Sequence, residues 1–193
     1  MNLFVLQVSV LNETVNHNPW EDYLMSGNRQ IDADNVRRHI ETALDGCEQV
    51  FEKFFLAKFL GLNFEYLPIE ADDVDKEICR LTFEVNEMVM NPQGTLHGGV
   101  IATVMDISIG HLLNKTLGPG VTVEMKTQYL RSVGKGVATV EGRFIKKGRS
   151  INFMESRLFG NDGKLAALMT ATFKDRKSTR LNSSHLVISY AVF

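Results

Sequence analysis

The chain has 193 residues, 44% of them hydrophobic and 23% charged, which is enough to bury one core and little more. A formal charge of -2 and a pI near 6.2 supply no broad basic surface for nucleic acid. No apolar run approaches the roughly 20 residues of a membrane span. The two cysteines, Cys47 and Cys79, have neither metal-ligand spacing nor a disulfide pattern, so a reduced, cytoplasmic protein is the simplest expectation.

The chain divides into an N-terminal extension over residues 1–33, a domain over 34–174 and a tail over 175–193. The extension carries little periodicity; Trp20, Tyr23 and Leu24 are either a docking segment or disordered. Leu3 to Leu11 is apolar but lacks a basic leader and a small-residue cleavage site, so it does not read as a signal segment. Asp34 is placed to cap a helix whose apolar positions Val36, Ile40, Ala43 and Leu44 follow at helical spacing. Val50 to Leu60, with Phe51, Phe54, Phe55 and Phe59, reads first as a helix packed over a sheet.

Asn63 to Ile69 is a short candidate strand. Ile78 to Val89 sets Leu81, Phe83 and Val85 against Arg80, Thr82, Glu84 and Asn86, the alternation of a half-buried strand. Asn91 to Gly99, read NPQGTLHGG, then leads into a helix. The Asn91-Pro92 pair and Gly94 put the motif's start in a loop, and Gly98-Gly99 turn the backbone into the helix with amides exposed, an end that attracts oxyanions and polarised carbonyls. From Val100 to Leu113 the residues Val100, Ile101, Ala102, Val104, Met105, Ile107, Ile109, Leu112 and Leu113 leave no broad polar face, so other elements should wrap this helix. Asp106 is the one carboxylate in it. Burying a carboxylate costs several kcal/mol unless compensated, which favours a functional reason for Asp106 over a structural network. His111, further along, reads as structural.

Val121 to Arg131, Val137 to Lys146, Ile151 to Phe159 and Leu165 to Phe173 have strand length and are separated by glycine-bearing turns, as successive antiparallel strands would be. The fold class is α+β, an antiparallel sheet curled around one long central helix. Beyond Lys174 the sequence changes character: a polar stretch precedes an unpaired β-prone run from Leu186 to Phe193, which resembles a translated adapter end and is set apart from the fold.

The motif Asn91-x5-His97-Gly98-Gly99, Asp106 nine residues beyond the histidine, and the strand Gly120-Val121-Thr122-Val123-Glu124-Met125 together resemble the hotdog-fold acyl-CoA thioesterases of the 4-hydroxybenzoyl-CoA thioesterase superfamily, in the phenylacetate-type branch. The similarity spans roughly Phe54 to Lys174, and Asn91, His97, Gly98, Asp106 and Thr122 are all present where that branch uses them. The resemblance implies hydrolysis of acyl-CoA with no cofactor and no metal, in homodimers often paired into dimers of dimers. Asp106 would activate water or attack the carbonyl, the Gly98 amide would hold the oxyanion, His97 would orient the thioester, and Asn91 and Thr122 would position water or the carboxylate. His97 reads equally as a helix-start histidine satisfied by backbone contacts, and Asn91 and Thr122 also suit a turn and a strand on their own account. Gly99 would assist at the helix start. It also implies that Lys146, Lys147 and Arg149, in one hairpin, lie near the nucleotide end of the substrate, with Lys126 and Arg131 on a neighbouring strand. Arg149 is the first choice for phosphate contact, although a solvated turn is the commoner role of such a group. In this setting Val50 to Leu60 has a second role as cover on an acyl tunnel, with core packing preferred.

Helix geometry adds a constraint of its own. The nine residues from His97 to Asp106 amount to about 13 Å of rise and about half a turn of residual rotation, so within one chain they face opposite ways. A site that uses both combines two chains. Two rival readings remain at this level: a hotdog hydratase or dehydratase acting at the acyl β-carbon through His97 and Asp106, and a non-catalytic acyl-CoA-binding module. The Asn-x5-HGG context favours the thioesterase over the first. The absence of a convincing DNA-binding helix pair in residues 1–60 weighs against a regulator.

Overall fold

The structure, a computed structural model, describes residues 32–67 and 77–175. The expectations for the N-terminal extension, for the tail beyond Asp175 and for Ile69 lie outside the described residues. Helix α1 spans Ala33–Leu44 and α2 Phe55–Phe59; strands β1 (Asn63–Leu67) and β2 (Ile78–Val85) follow, then the long helix α3 (Gly98–Leu117). Strands β3 (Gly120–Tyr129), β4 (Gly136–Lys146), β5 (Ile151–Phe159) and β6 (Leu165–Asp175) complete one six-stranded sheet. Its order is β1-β2-β4-β5-β6-β3, and every pairing is antiparallel. This is the sheet around a central helix that the hotdog expectation describes.

One expectation about the sheet is refined. The four later strands were expected to follow one another, but β3 does not pair with β4; it joins β6 at the far edge. Helix α3 explains this. Twenty residues rise about 30 Å, enough to carry the chain across the sheet from β2 to the opposite edge, a step of four strand spacings or about 19 Å. Only β4, β5 and β6 then form a meander.

The core lies between one face of α3 and one face of the sheet. Ile101, Val104, Met105, Ser108, Ile109 and Leu112 follow at helical spacing and are buried. Facing them are Leu81 and Phe83 of β2, Val140 of β4, Met154 and Leu158 of β5, and Met169 of β6. The alternation read in β2 holds: Cys79, Leu81, Phe83 and Val85 are buried, and the residues between them are not. The opposite stripe of α3, with Ala102, Asp106, Ile107 and Gly110, is only partly covered. The helix is therefore half-wrapped within the chain, not wrapped on all sides.

Small residues bring helix and sheet together. Ser108 Oγ donates to the Met105 carbonyl at 2.7 Å and pairs with Ser156 Oγ of β5 at 2.8 Å, so both buried hydroxyls are satisfied. A side chain at Gly142 would meet Ser108 Oγ at 2.8 Å and Ile109 Cγ2 at 3.0 Å.

Near the N-terminus, Asp34 lies inside the first turn of α1 and pairs with Arg37 at 2.7 Å, so it does not cap the helix. The aromatic stretch after α1 is also not one helix. Only Phe55–Phe59 is helical, because Glu52 sits at φ 76, a left-handed turn that interrupts any longer run.

Gly142→Val should force α3 off the sheet and lower unfolding stability by about 1–3 kcal/mol, read from chemical denaturation.

Candidate active site

The loop from Asn91 to His97 is pinned at several points, which fixes the start of α3. Met90 and Leu96 bridge, the His97 amide donates to the Val89 carbonyl at 2.9 Å, and the Leu96 amide donates to the Val133 carbonyl at 2.8 Å. Asn91 is absorbed in this loop. Its Nδ2 donates to Thr95 Oγ1 at 3.0 Å, and its Oδ1 accepts from the Thr95 amide at 3.2 Å. Within one chain the Asn91 side chain shapes the turn and does not reach the carboxylate.

His97 is the N-cap of α3, with φ -64 and ψ 132, and its Nδ1 accepts from the Gly99 amide at 2.9 Å. This is the helix-start role, one of the two readings of His97, and it has two consequences. The Gly99 amide is taken by the cap, which leaves the Gly98 amide as the helix-end donor. And because Nδ1 accepts, a neutral His97 ring carries its proton on Nε2, on a side chain exposed to solvent. Tyr129, at the end of β3, donates its hydroxyl to the Gly98 carbonyl at 3.1 Å and stands over the glycine. A small pocket of about 330 Å³ beside Gly98 is lined by Tyr129, Leu130 and Arg131.

Asp106 lies elsewhere. It lines a larger cavity of about 590 Å³ bounded by Val50, Phe51 and Phe54 on one side and by Thr122 and Met125 of β3 on another. Thr122 Oγ1 donates to Asp106 Oδ1 at 3.2 Å. The strand is irregular there: the β3–β6 register shifts between Thr122 and Glu124, a bulge of the kind that re-aims a side chain. Burial pushes the Asp106 carboxyl above its ordinary value, and the Thr122 hydroxyl draws part of that back. Gly98 and Asp106 are eight residues apart on α3, about 12 Å of rise, and open into different pockets. One chain thus brings Asp106 together with Thr122, and Gly98 with Arg131, but does not join the two pairs.

The basic residues divide in the same way. Arg131 lies just past the end of β3, its amide donating to the Ala166 carbonyl at 3.1 Å. Lys146, Lys147 and Arg149 belong to the β4–β5 hairpin, at the end of the sheet where Ile151 opposes Lys174 and Thr122 opposes Phe173. Lys147 Nζ sits 4.8 Å from the Phe144 ring centroid, and Arg149 is exposed. Lys126 is exposed on β3 itself.

Three contributors escaped the sequence reading. Tyr129 gave no signal beyond strand propensity, Gly110 looked like an ordinary helix glycine, and His111 lines the Asp106 cavity. In the aromatic stretch Ala57 and Leu60 are buried, while Val50, Phe51 and Phe54 line the cavity. Among the described residues no His, Cys, Asp or Glu cluster is arranged to hold a metal ion, and no helix is long and apolar enough to cross a membrane.

A long helix seated in an antiparallel sheet, with a glycine amide end and a carboxylate in an apolar cavity, is the architecture of a hotdog enzyme. The chain belongs to the thioesterase superfamily, whose model matches residues 93–167. It is 35% identical to mouse acyl-coenzyme A thioesterase 13 over 98 residues, 48% of this chain and 68% of that protein. It is 27% identical to the 1,4-dihydroxy-2-naphthoyl-CoA hydrolase of Listeria monocytogenes, over 63% of this chain and all of that one. A Bacillus halodurans protein solved with CoA shares the fold, with a TM-score of 0.61 and 21% identity over 73% of this chain and 91% of its own.

Thr122→Val should remove the hydroxyl that lowers the Asp106 carboxyl and leave the burial that raises it. Asp106 should then titrate at higher pH than in the parent, read from carboxyl carbon NMR with Asp106→Asn assigning the signal.

Proposed function

We propose that the protein hydrolyses acyl-CoA thioesters to a free acid and coenzyme A, at sites shared between two chains. The observation that carries this reading is the Asp106 carboxylate held by Thr122 in an apolar cavity, in a chain of the thioesterase superfamily. The acyl group would lie in that cavity. The Gly98 amide of the partner chain, with the α3 dipole behind it, would take the charge that develops on the thioester oxygen, and the His97 Nε2–H would orient the carbonyl. Asp106 acts as general base: a carboxyl raised by burial is the stronger base once ionised, and Thr122 holds Oδ1, leaving Oδ2 for water. Water adds to the carbonyl carbon and gives its proton to Asp106; the C–S bond then breaks and coenzyme A leaves as the thiol after that proton returns.

Pairing would also unite what a single chain keeps apart. Where Gly98 of one chain meets Asp106 of the other, Arg131 of the first approaches the hairpin of the second, so Arg131, Lys147 and Arg149 supply cations for the nucleotide phosphates. Asn91 supports this end by fixing the loop that presents Gly98. The edge of β3, which pairs with no strand among the described residues, supports a second copy as the occupant, since Val121, Val123 and Met125 are exposed there, Val123 at 60%. The homodimer is the unit this requires, and a dimer of dimers is the larger assembly in view, given exposed Val137, Ile145 and Phe153 on the outer sheet face. A cytoplasmic setting fits the two free thiols, Cys47 and Cys79.

Asp106→Asn should fold and lose about two orders of magnitude in thiol release from acyl-CoA. It should also be at least as stable as the parent at neutral pH. A carboxyl whose folded pKa is raised binds its proton more tightly when folded, so its contribution to stability falls as pH rises above the ordinary carboxylate value; the amide removes that loss. Near-normal turnover by the folded variant removes Asp106 from the mechanism.

Gly98→Pro removes the proposed oxyanion donor with little damage to the fold. Proline suits the first helical position, and the extended backbone of His97 suits a residue before proline. Mixing it with Asp106→Ala, each inactive alone, should restore about a quarter of parent activity after subunit exchange, because half the dimers are hybrid and each holds one intact site. Exchange confirmed by mass without any return of activity excludes the shared site.

A further inference from the structure

His111 is 3% exposed, yet neither of its ring nitrogens, Nδ1 or Nε2, has a hydrogen-bonding partner among the described residues. It stacks on Phe64 with centroids 4.4 Å apart, meets Phe51 edge-on at 4.9 Å and lies 6.0 Å from Phe54. Aromatic packing alone would be served by a phenylalanine, without leaving two polar atoms unsatisfied. The ring lines the same cavity as Asp106. Between the two, Gly110 faces open space, with nothing within 4 Å of where its side chain would be. A glycine inside a helix costs about 1 kcal/mol against alanine, so its use here opens the cavity rather than favouring the helix.

Resting on the thioesterase reading above, we propose that His111 selects the acyl group: the cavity takes acyl chains that carry an oxygen, as hydroxyl or ketone, about six bonds from the thioester carbon, and His111 hydrogen-bonds that oxygen. The reach follows from the helix. Asp106 and His111 are five residues apart, about 7.5 Å of rise and about 140° of rotation with Gly110 facing the space between them; once a water at Asp106 and a hydrogen bond at His111 take up their share of that separation, an extended chain of about six bonds spans the rest. The cage holds the imidazole neutral, since burial lowers its pKa to about 4, against the opposing charge of Glu52. A neutral ring offers one donor and one acceptor, so it serves a hydroxyl through either nitrogen and a ketone through its N–H. The walls around it, Val50, Phe51 and Phe54, are apolar; Gln49 and Asn114 are the other polar side chains that line this end of the cavity, and His111 is the one buried among aromatic rings.

The test compares thiol release from 6-hydroxyhexanoyl-CoA and heptanoyl-CoA, which have equal numbers of heavy atoms and differ only by hydroxyl against methyl. The parent should favour the hydroxyacyl substrate in kcat/KM by about tenfold or more, because a site built to hydrogen-bond a hydroxyl discriminates against its absence. In His111→Phe the ratio should fall to one or below, and in His111→Gln, which keeps a donor and an acceptor, part of the preference should survive. The ratio within one protein does not depend on how much of it is folded, so a destabilised variant still reports. A parent ratio near one, or a preference unchanged in His111→Phe, overturns the inference and leaves hydrolysis standing. No thiol from either substrate with the parent removes the thioesterase reading and this inference with it.

Discussion

The close seating of α3 on the sheet decides where everything else in this protein can be. Gly142 lets the helix come within contact of β4, and the Ser108–Ser156 hydrogen bond satisfies the two hydroxyls trapped at that approach. Both fix the helix in rotation as well as in distance. Once Ser108 and Leu112 point into the sheet, Asp106 and Gly110 must point away from it. The carboxylate is thereby held over a cavity rather than in the core, where its desolvation would have no use and no compensation. Overpacking at Gly142 would act on stability first and on the placement of Asp106 second.

The same rotation turns the other half of α3 toward β3, whose outer edge pairs with no strand among the described residues and whose Val121, Val123 and Met125 are exposed. Such an edge is an association hazard in a monomer and a pairing surface in an assembly. Both fragments of the site border it. Tyr129 ties β3 to Gly98 and Thr122 ties β3 to Asp106, so β3 is the element that links the two.

Much of this was legible in the sequence because it depends on local periodicity. The two-residue alternation of β2, the strand lengths after Gly120 and the apolar run of α3 each follow from contacts that a segment makes with a single neighbour. The separation of His97 from Asp106 was legible for the same reason, since it needs only the helical rise and rotation. What escaped depended on distant residues. That α3 is covered on one side only, that β3 pairs with β6, and that a bulge after Thr122 turns its hydroxyl toward Asp106 are all set by sheet order, which no window of sequence contains. His97 shows the limit most sharply: its place at the helix start was legible, whereas the Gly99 amide as the donor its ring takes was not.

The side of α3 that faces the cavity breaks the rules that the other side obeys. Gly110 weakens the helix, Asp106 is a carboxyl that burial disfavours in its charged form, and His111 keeps two ring nitrogens without partners. Each of these costs stability, which the Thr122 hydroxyl offsets in part at Asp106 and the rings of Phe64, Phe51 and Phe54 in part at His111. Random neglect would scatter such features around the helix. Their gathering along one cavity within a span of six residues instead matches the trade expected of an active site, in which groups are left unsatisfied by the fold so that they can be satisfied by what binds. On the proposals made above, Asp106 and His111 differ in what they would await: the carboxylate a proton from water, and the imidazole a hydrogen bond from the far end of the acyl chain.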